Sequence, residues 1–237
     1  LGLDAARRRL AHAPAAAAAA DERALVGALL VGAYQSTRHS SETTRRAARA
    51  VAAALGARFH ELDVDALVEG YQALVAGALG RPLDWATDDL ALQNVQARAR
   101  SPGIWLIANL ERGLLLSTSN RSEAAVGYAT MDGDTSGGLC PIAGIDKAFL
   151  REWLRWLEVT GPAGLGPIPA LGLVNAQEPT AELRPPAAGQ TDEGDLMPYA
   201  VLDVIERAAI RDKRGPREVL ALLSAQHPDR DRGELLA

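Results

Sequence analysis

Residues 24–34 (ALVGALLVGAY) form a short apolar run that ends in turn-prone polar residues, the pattern of a strand buried on both faces. Residues 40–56 (SSETTRRAARAVAAALG) open with serines and an early Glu42, continue as an alanine-rich amphipathic body and stop at Gly56. A capping hydroxyl, a first-turn acid and a terminal glycine together predict a helix. Residues 58–64 (RFHELDV) alternate and predict a second strand. Strand, helix and strand at this spacing make a right-handed βαβ unit, so the two strands are expected to pair in parallel.

The pattern then recurs. Residues 90–109 read as a helix, residues 113–118 (GLLLST) as another buried strand, and residues 146–158 (DKAFLREWLRWLE) as an amphipathic helix carrying Trp153 and Trp156 on one side. Glycine and proline break regular structure over residues 161–170. Residues 178–198 are polar and rich in turn formers, and a last helical stretch covers about residues 199–223. The expected class is α/β, a parallel sheet flanked by helices. Such sheets bind ligands beyond the carboxyl ends of their strands, which directs attention to the loops after Tyr34 and Ser117.

Composition narrows this picture. The chain has 237 residues, a length that suits one large domain. Of these residues 48% are hydrophobic but only 4% aromatic, so the core must be built from Leu, Val and Ala. A net charge of -5 argues against nucleic acid as the main partner, because non-specific binding to it needs clustered Lys and Arg. Cys140 is the single cysteine, which excludes an internal disulfide framework and favours a reducing, cytoplasmic setting. No run reaches the ~18 to 20 apolar residues of a membrane span. Only two lysines occur, Lys147 and Lys213, so Lys147 beside a dense polar block stands out.

That block is residues 117–138, STSNRSEAAVGYATMDGDTSGG. Its hydroxyls, Asn120, Arg121, Glu123, Asp132 and Asp134 sit where a nucleotide and a divalent metal would be met. A purely structural reading stands beside this one: Ser119 or Asn120 caps a helix whose early acid is Glu123, and residues 132–138 form a turn. In LQNVQARAR, Asn94 and Arg98 are four apart and share a helix face. A guanidinium there can clamp a carboxylate or phosphate; a solvated face is the alternative. His12, His39, His60 and His227 show no metal-site spacing and no nucleophile nearby, and none is assigned to catalysis.

Three ordered blocks, residues 118–156, LQNVQAR and EPTAELRPPAAGQTDEGDLMPY, resemble the signatures of NAD synthetases, and STSNRSE with MDGDTSGG resembles their bacterial glutamine-dependent branch. The resemblance implies an N-type ATP pyrophosphatase fold, Rossmann-like with helices on both faces of the sheet, and amidation of deamido-NAD by ATP and ammonia. It implies that Thr118, Lys147 and Thr180 contact ATP, that Glu123 and Asp4 bind Mg2+, and that Asn94, Arg98 and Asp134 contact deamido-NAD. The loop over residues 34–41 would lie near the adenine.

The family's SGGxDS pyrophosphate loop is matched only at its end. Gly2, Leu3 and Asp4 align there, with Gly2 toward ATP and Asp4 toward metal, and Ala5 stands where a serine is usual. A homodimer and an upstream nitrilase-like glutaminase domain, feeding ammonia from glutamine into one synthetase domain over residues 1–237, complete the expectation. The alternative, motivated by Ala5, is an impaired relative that serves as an assembly module.

Overall fold

In the computed structural model, which describes residues 2–228 and Gly233, the chain passes through α1 (Leu3–Arg9), α2 (Pro14–Ala17), α3 (Glu22–Leu29), β1 (Val31–Ser36), α4 (Glu42–Leu55), β2 (Arg58–Asp63), α5 (Asp65–Leu79) and α6 (Trp85–Glu111). It continues through α7 (Arg121–Val126), α8 (Lys147–Val159), α9 (Gly172–Asn175), α10 (Asp192–Asp195), α11 (Tyr199–Glu206) and α12 (Pro216–Gln226). Two compact units divide these elements. The first runs to Arg100 and takes up Leu154–Glu178 and Glu182–Ala188; the second comprises Ser101–Trp153, Pro179–Ala181 and the chain from Gly189 onward.

The first unit contains the expected βαβ motif. β1 and β2 pair in parallel from Val31↔Arg58 to Ser36↔Asp63, and α4 is the crossover between them. Ser41 caps α4 by accepting a hydrogen bond from the Thr44 amide at 3.2 Å, and Gly56 closes it in the left-handed region at φ 78°. Ala47 and Ala52 form its buried stripe, and their small side chains let α4 pack on both strands and on α9. The α/β class with parallel pairing is therefore the one observed, with two hydrogen-bonded strands among the described residues.

Residues 24–34 do not form one strand. Asp21 accepts a hydrogen bond from the Ala24 amide at 2.7 Å and starts α3, which holds Ala24 to Leu29 in a helix, and β1 begins only at Val31. Leu and Ala favour a helix once a cap is present, and a short apolar run has no periodicity to oppose it. Helix α5, which sequence reading passed over, follows β2 directly and ends at Gly80 with φ 66°.

In the second unit, Val201, Ala208, Val219 and Leu223 make a core against which Met197, Val204, Ile205 and Leu222 pack. The last helical stretch is interrupted. α11 widens into a π turn at Arg207–Arg211, and α12 restarts with Pro216 in its first turn after Gly215. Over residues 113–118 the expected strand reduces to one parallel bridge, Leu116↔Leu139. Ser117 donates to the Leu139 carbonyl at 2.9 Å, and Gly138 donates to that of Leu115 at 2.8 Å.

Gly137 makes that bridge possible. Its φ is 153°, and a Cβ there would lie 2.7 Å from the Ser117 amide nitrogen. Gly137→Ala should therefore destabilise the protein by about 1–3 kcal/mol, measured as a lower urea midpoint with an unchanged m-value. An unaltered midpoint would show that the backbone relaxes at no cost.

Candidate functional site

Local sequence builds the polar centre of the second unit. Asn120 accepts a hydrogen bond from the Glu123 amide at 3.1 Å, and Glu123 returns one from the Asn120 amide at 3.1 Å. This reciprocal capping box starts α7, so the structural reading of STSNRSE holds. The same carboxylate also faces outward from the cap. Glu123 Oε1 accepts from Lys147 Nζ at 2.8 Å, and Oε2 accepts from the Ser119 hydroxyl at 3.2 Å. One residue thus serves as both cap and counter-ion.

Lys147 is the first residue of α8, and its side chain is 18% exposed. Besides Glu123 it faces Asp192 Oδ2 at 3.8 Å, and its ammonium stands 5.6 Å from the centre of the Tyr199 ring. The Tyr199 hydroxyl donates to Asp192 at 2.9 Å. Burial pushes the Asp192 carboxyl above the usual carboxylate range against the pull of Lys147. Burial, and then the charge of Asp192, raises the Tyr199 phenol as well.

A second network holds the starts of α7 and α8 in place. Ser122, fully buried, donates to Asp203 Oδ1, and Asp203 Oδ2 accepts from the Ala148 amide at 2.9 Å. The Ser122 hydroxyl in turn accepts from the Lys147 amide at 2.9 Å. Arg121 bridges two acids, reaching Glu206 at 2.8 Å and Asp146 at 2.9 Å. Burial raises the Asp203 carboxyl too.

The remaining expected residues are distributed as follows. Thr180 donates its hydroxyl to the Gln190 carbonyl at 2.7 Å. Thr118 is exposed just before the Ser119–Glu123 contact. Asp134 accepts from the Thr130 amide at 2.8 Å, which ties its turn together. These three belong to the second unit with Glu123 and Lys147.

In the first unit, Gly2 is the N-cap of α1, and Asp4, 81% exposed, pairs with Arg7 at 3.2 Å. Asn94 is half-buried and Arg98 exposed on α6. Between them Gln96, which sequence reading left without a role, is buried; it accepts from the Thr37 hydroxyl at 3.2 Å and donates to the Leu183 carbonyl at 2.6 Å. It therefore pins the loop after β1, over residues 34–41, to α6. His39 in that loop meets the Trp85 ring edge-on at 5.5 Å.

Sequence reading also missed Asp192, Tyr199, Asp203 and Glu206. Residues 190–199 (QTDEGDLMPY) contain the first two, but nothing in that stretch indicates that they reach Lys147.

Among the described residues, no group of three or more His, Cys, Asp or Glu could hold a metal by itself. Magnesium asks for less than such a group, because it keeps several waters and takes one or two carboxylates plus phosphate oxygens. Glu123, a hard oxygen donor on a fixed cap, meets that lesser requirement.

Comparison with known proteins identifies the fold and the relatives. The family model described as NAD synthase matches residues 15–230. A glutamine-dependent NAD(+) synthetase from Aquifex aeolicus is 34% identical over 189 residues, 80% of this chain and 31% of that protein. One from Bos taurus is 36% identical over 221 residues, 86% of this chain and 31% of that protein. The crystal structure of a glutamine-dependent NAD(+) synthetase from Cytophaga hutchinsonii superposes with a TM-score of 0.76 at 42% identity, over 90% of this chain and 32% of that one. The fold is thus the expected Rossmann-like α/β fold, and the chain spans about a third of the length of the curated relatives it matches.

Proposed function

Since the chain belongs to the NAD synthase family, we propose that it is the synthetase part of a glutamine-dependent NAD synthetase and converts deamido-NAD to NAD with ATP and ammonia. The observation that carries this reading is the 2.8 Å contact between Lys147 and Glu123. It joins the lysine beside the polar block to a carboxylate within it, at the start of two helices that a buried network fixes.

Chemically the reaction needs placed charge and no side-chain nucleophile. The carboxylate of deamido-NAD attacks the α-phosphate of ATP, forming an acyl-adenylate and releasing pyrophosphate. Ammonia then attacks the acyl carbon and AMP leaves. Lys147, Thr118 and Thr180 receive the phosphates, with Gly2 at the edge of the pyrophosphate loop; the lysine offsets charge that grows on the departing oxygens. Arg98, supported by Asn94, and Asp134 bind deamido-NAD. Glu123 would hold Mg2+, which when bound neutralises phosphate charge and orients the leaving group; Asp4 is the further metal ligand that the family resemblance implies.

Ammonia comes from glutamine, hydrolysed by an upstream nitrilase-like domain; such a domain fits the greater length of the relatives. The working unit is a homodimer in the cytoplasm, and residues 1–237 act as one synthetase domain. No described helix is long and apolar enough to cross a membrane.

Calorimetry tests the substrate assignment. With ATP and magnesium present, deamido-NAD should bind the wild-type protein at least about tenfold more tightly than it binds Arg98→Ala, a difference of about 1.4 kcal/mol. Equal affinity in the two proteins would remove Arg98 from the site.

A further inference from the structure

Asp192 is a costly residue whose expense the proposed reaction does not explain. It is 5% exposed, and a carboxylate loses much of its hydration on burial unless partners replace it. It does not cap α10, because Thr191 fills that role by accepting from the Gly194 amide at 3.1 Å. Its carboxylate instead accepts from the Tyr199 hydroxyl at 2.9 Å and faces Lys147 Nζ at 3.8 Å. The ring of the same tyrosine, itself buried, lies 5.6 Å beneath that ammonium. Tyr199 therefore holds the carboxylate with its hydroxyl and the lysine with its face.

Resting on the functional reading above, we infer that Asp192, fixed by Tyr199, is a positioning residue that holds Lys147 in place to receive the phosphates of ATP. An unrestrained lysine samples many rotamers and loses that freedom when it grips an anion. In this fold the loss has already been met before the nucleotide arrives. Glu123 makes the shorter contact, but it is also the carboxylate proposed for magnesium. Asp192 and Tyr199 offer the lysine a hold that does not depend on Glu123.

The same segment supports the other proposed phosphate contact. The Asp192 amide donates to the Pro179 carbonyl at 3.0 Å, and Thr180 donates to the Gln190 carbonyl at 2.7 Å. Residues 190–192 thus brace both Lys147 and Thr180.

The test uses Asp192→Asn and Tyr199→Phe in the full-length protein, with two readouts. The first is acylation of lysines by an amine-reactive ester, followed residue by residue by mass spectrometry, with the exposed Lys213 as internal reference. An amine released from the Asp192 carboxylate and the Tyr199 ring is more mobile and more open to the ester, so labelling of Lys147 relative to Lys213 should rise about threefold or more in Asp192→Asn and less in Tyr199→Phe. The second is steady-state kinetics. KM for ATP should rise about tenfold in Asp192→Asn while KM for deamido-NAD stays within about twofold.

Unchanged labelling of Lys147 in both variants would overturn the inference, and so would increased labelling with an unchanged KM for ATP. If the wild-type protein forms no NAD at all, it is the functional reading that falls, and the labelling alone still decides whether Asp192 holds the lysine.

Discussion

Lys147→Met is expected to lower kcat/KM for NAD formation on the order of a thousandfold. The substitution keeps an unbranched stem of similar length over the Tyr199 ring and removes only the charge. That charge would act in a partly buried setting beside Glu123 and Asp192. There a fixed cation is worth more than in water, and loss of one such group from a transition-state site typically costs a factor of ~100 to 1000. Arginine at this position should rescue little, because a planar fork does not reproduce a point charge held between two carboxylates. Kinetics with saturating ammonia isolates this step from glutamine hydrolysis. A loss below about fivefold would remove Lys147 from the chemistry.

The second large effect concerns stability. Asp203→Ala should destabilise the protein by roughly 3 kcal/mol, because it strands the buried Ser122 hydroxyl and the Ala148 amide without their acceptor. Asp203→Asn is milder and carries a pH signature. Burial raises the Asp203 carboxyl in the folded state, so the folded protein holds this proton more tightly than the unfolded chain does. The stability linked to that proton is complete below the ordinary carboxylate pKa of about 3.9 and is lost as pH rises through the raised folded value. Asparagine does not titrate. The advantage of wild type over Asp203→Asn in urea denaturation should therefore be larger at pH 4 than at pH 7. A difference that grew with pH would contradict the sign of the shift.

Where neighbours in sequence decide the structure, it was legible. The capping serine and closing glycine of α4, the alternation of β2 and the amphipathic pattern of α8 each carry their own signal, and each forms close to where it was expected. The cap formed by Asn120 and Glu123 is equally local.

What sequence misplaced depended on competition. Residues 24–29 could have been strand or helix, and the hydrogen bond that Asp21 accepts from the Ala24 amide caps the helix that forms. The bridge at Leu116 shows that an apolar run need not become a full strand when its partner is a glycine-containing turn. The candidate site divides along the same line. Glu123 and Lys147 stood out by composition and resemblance, whereas Asp203 and Glu206 meet Ser122 and Arg121 across 81 and 85 residues. Asp192 at the start of α10 meets Tyr199 at the start of α11 across 7 residues. No periodicity encodes such pairings.

The measurement that bears most directly on the central claim is the product balance of the full-length protein supplied with ATP, magnesium, ammonia and deamido-NAD. The expected result is that AMP appears only when deamido-NAD is present, and that one AMP and one pyrophosphate form for each NAD. AMP release without NAD, or ATP bound and never cleaved in the presence of deamido-NAD, would contradict it.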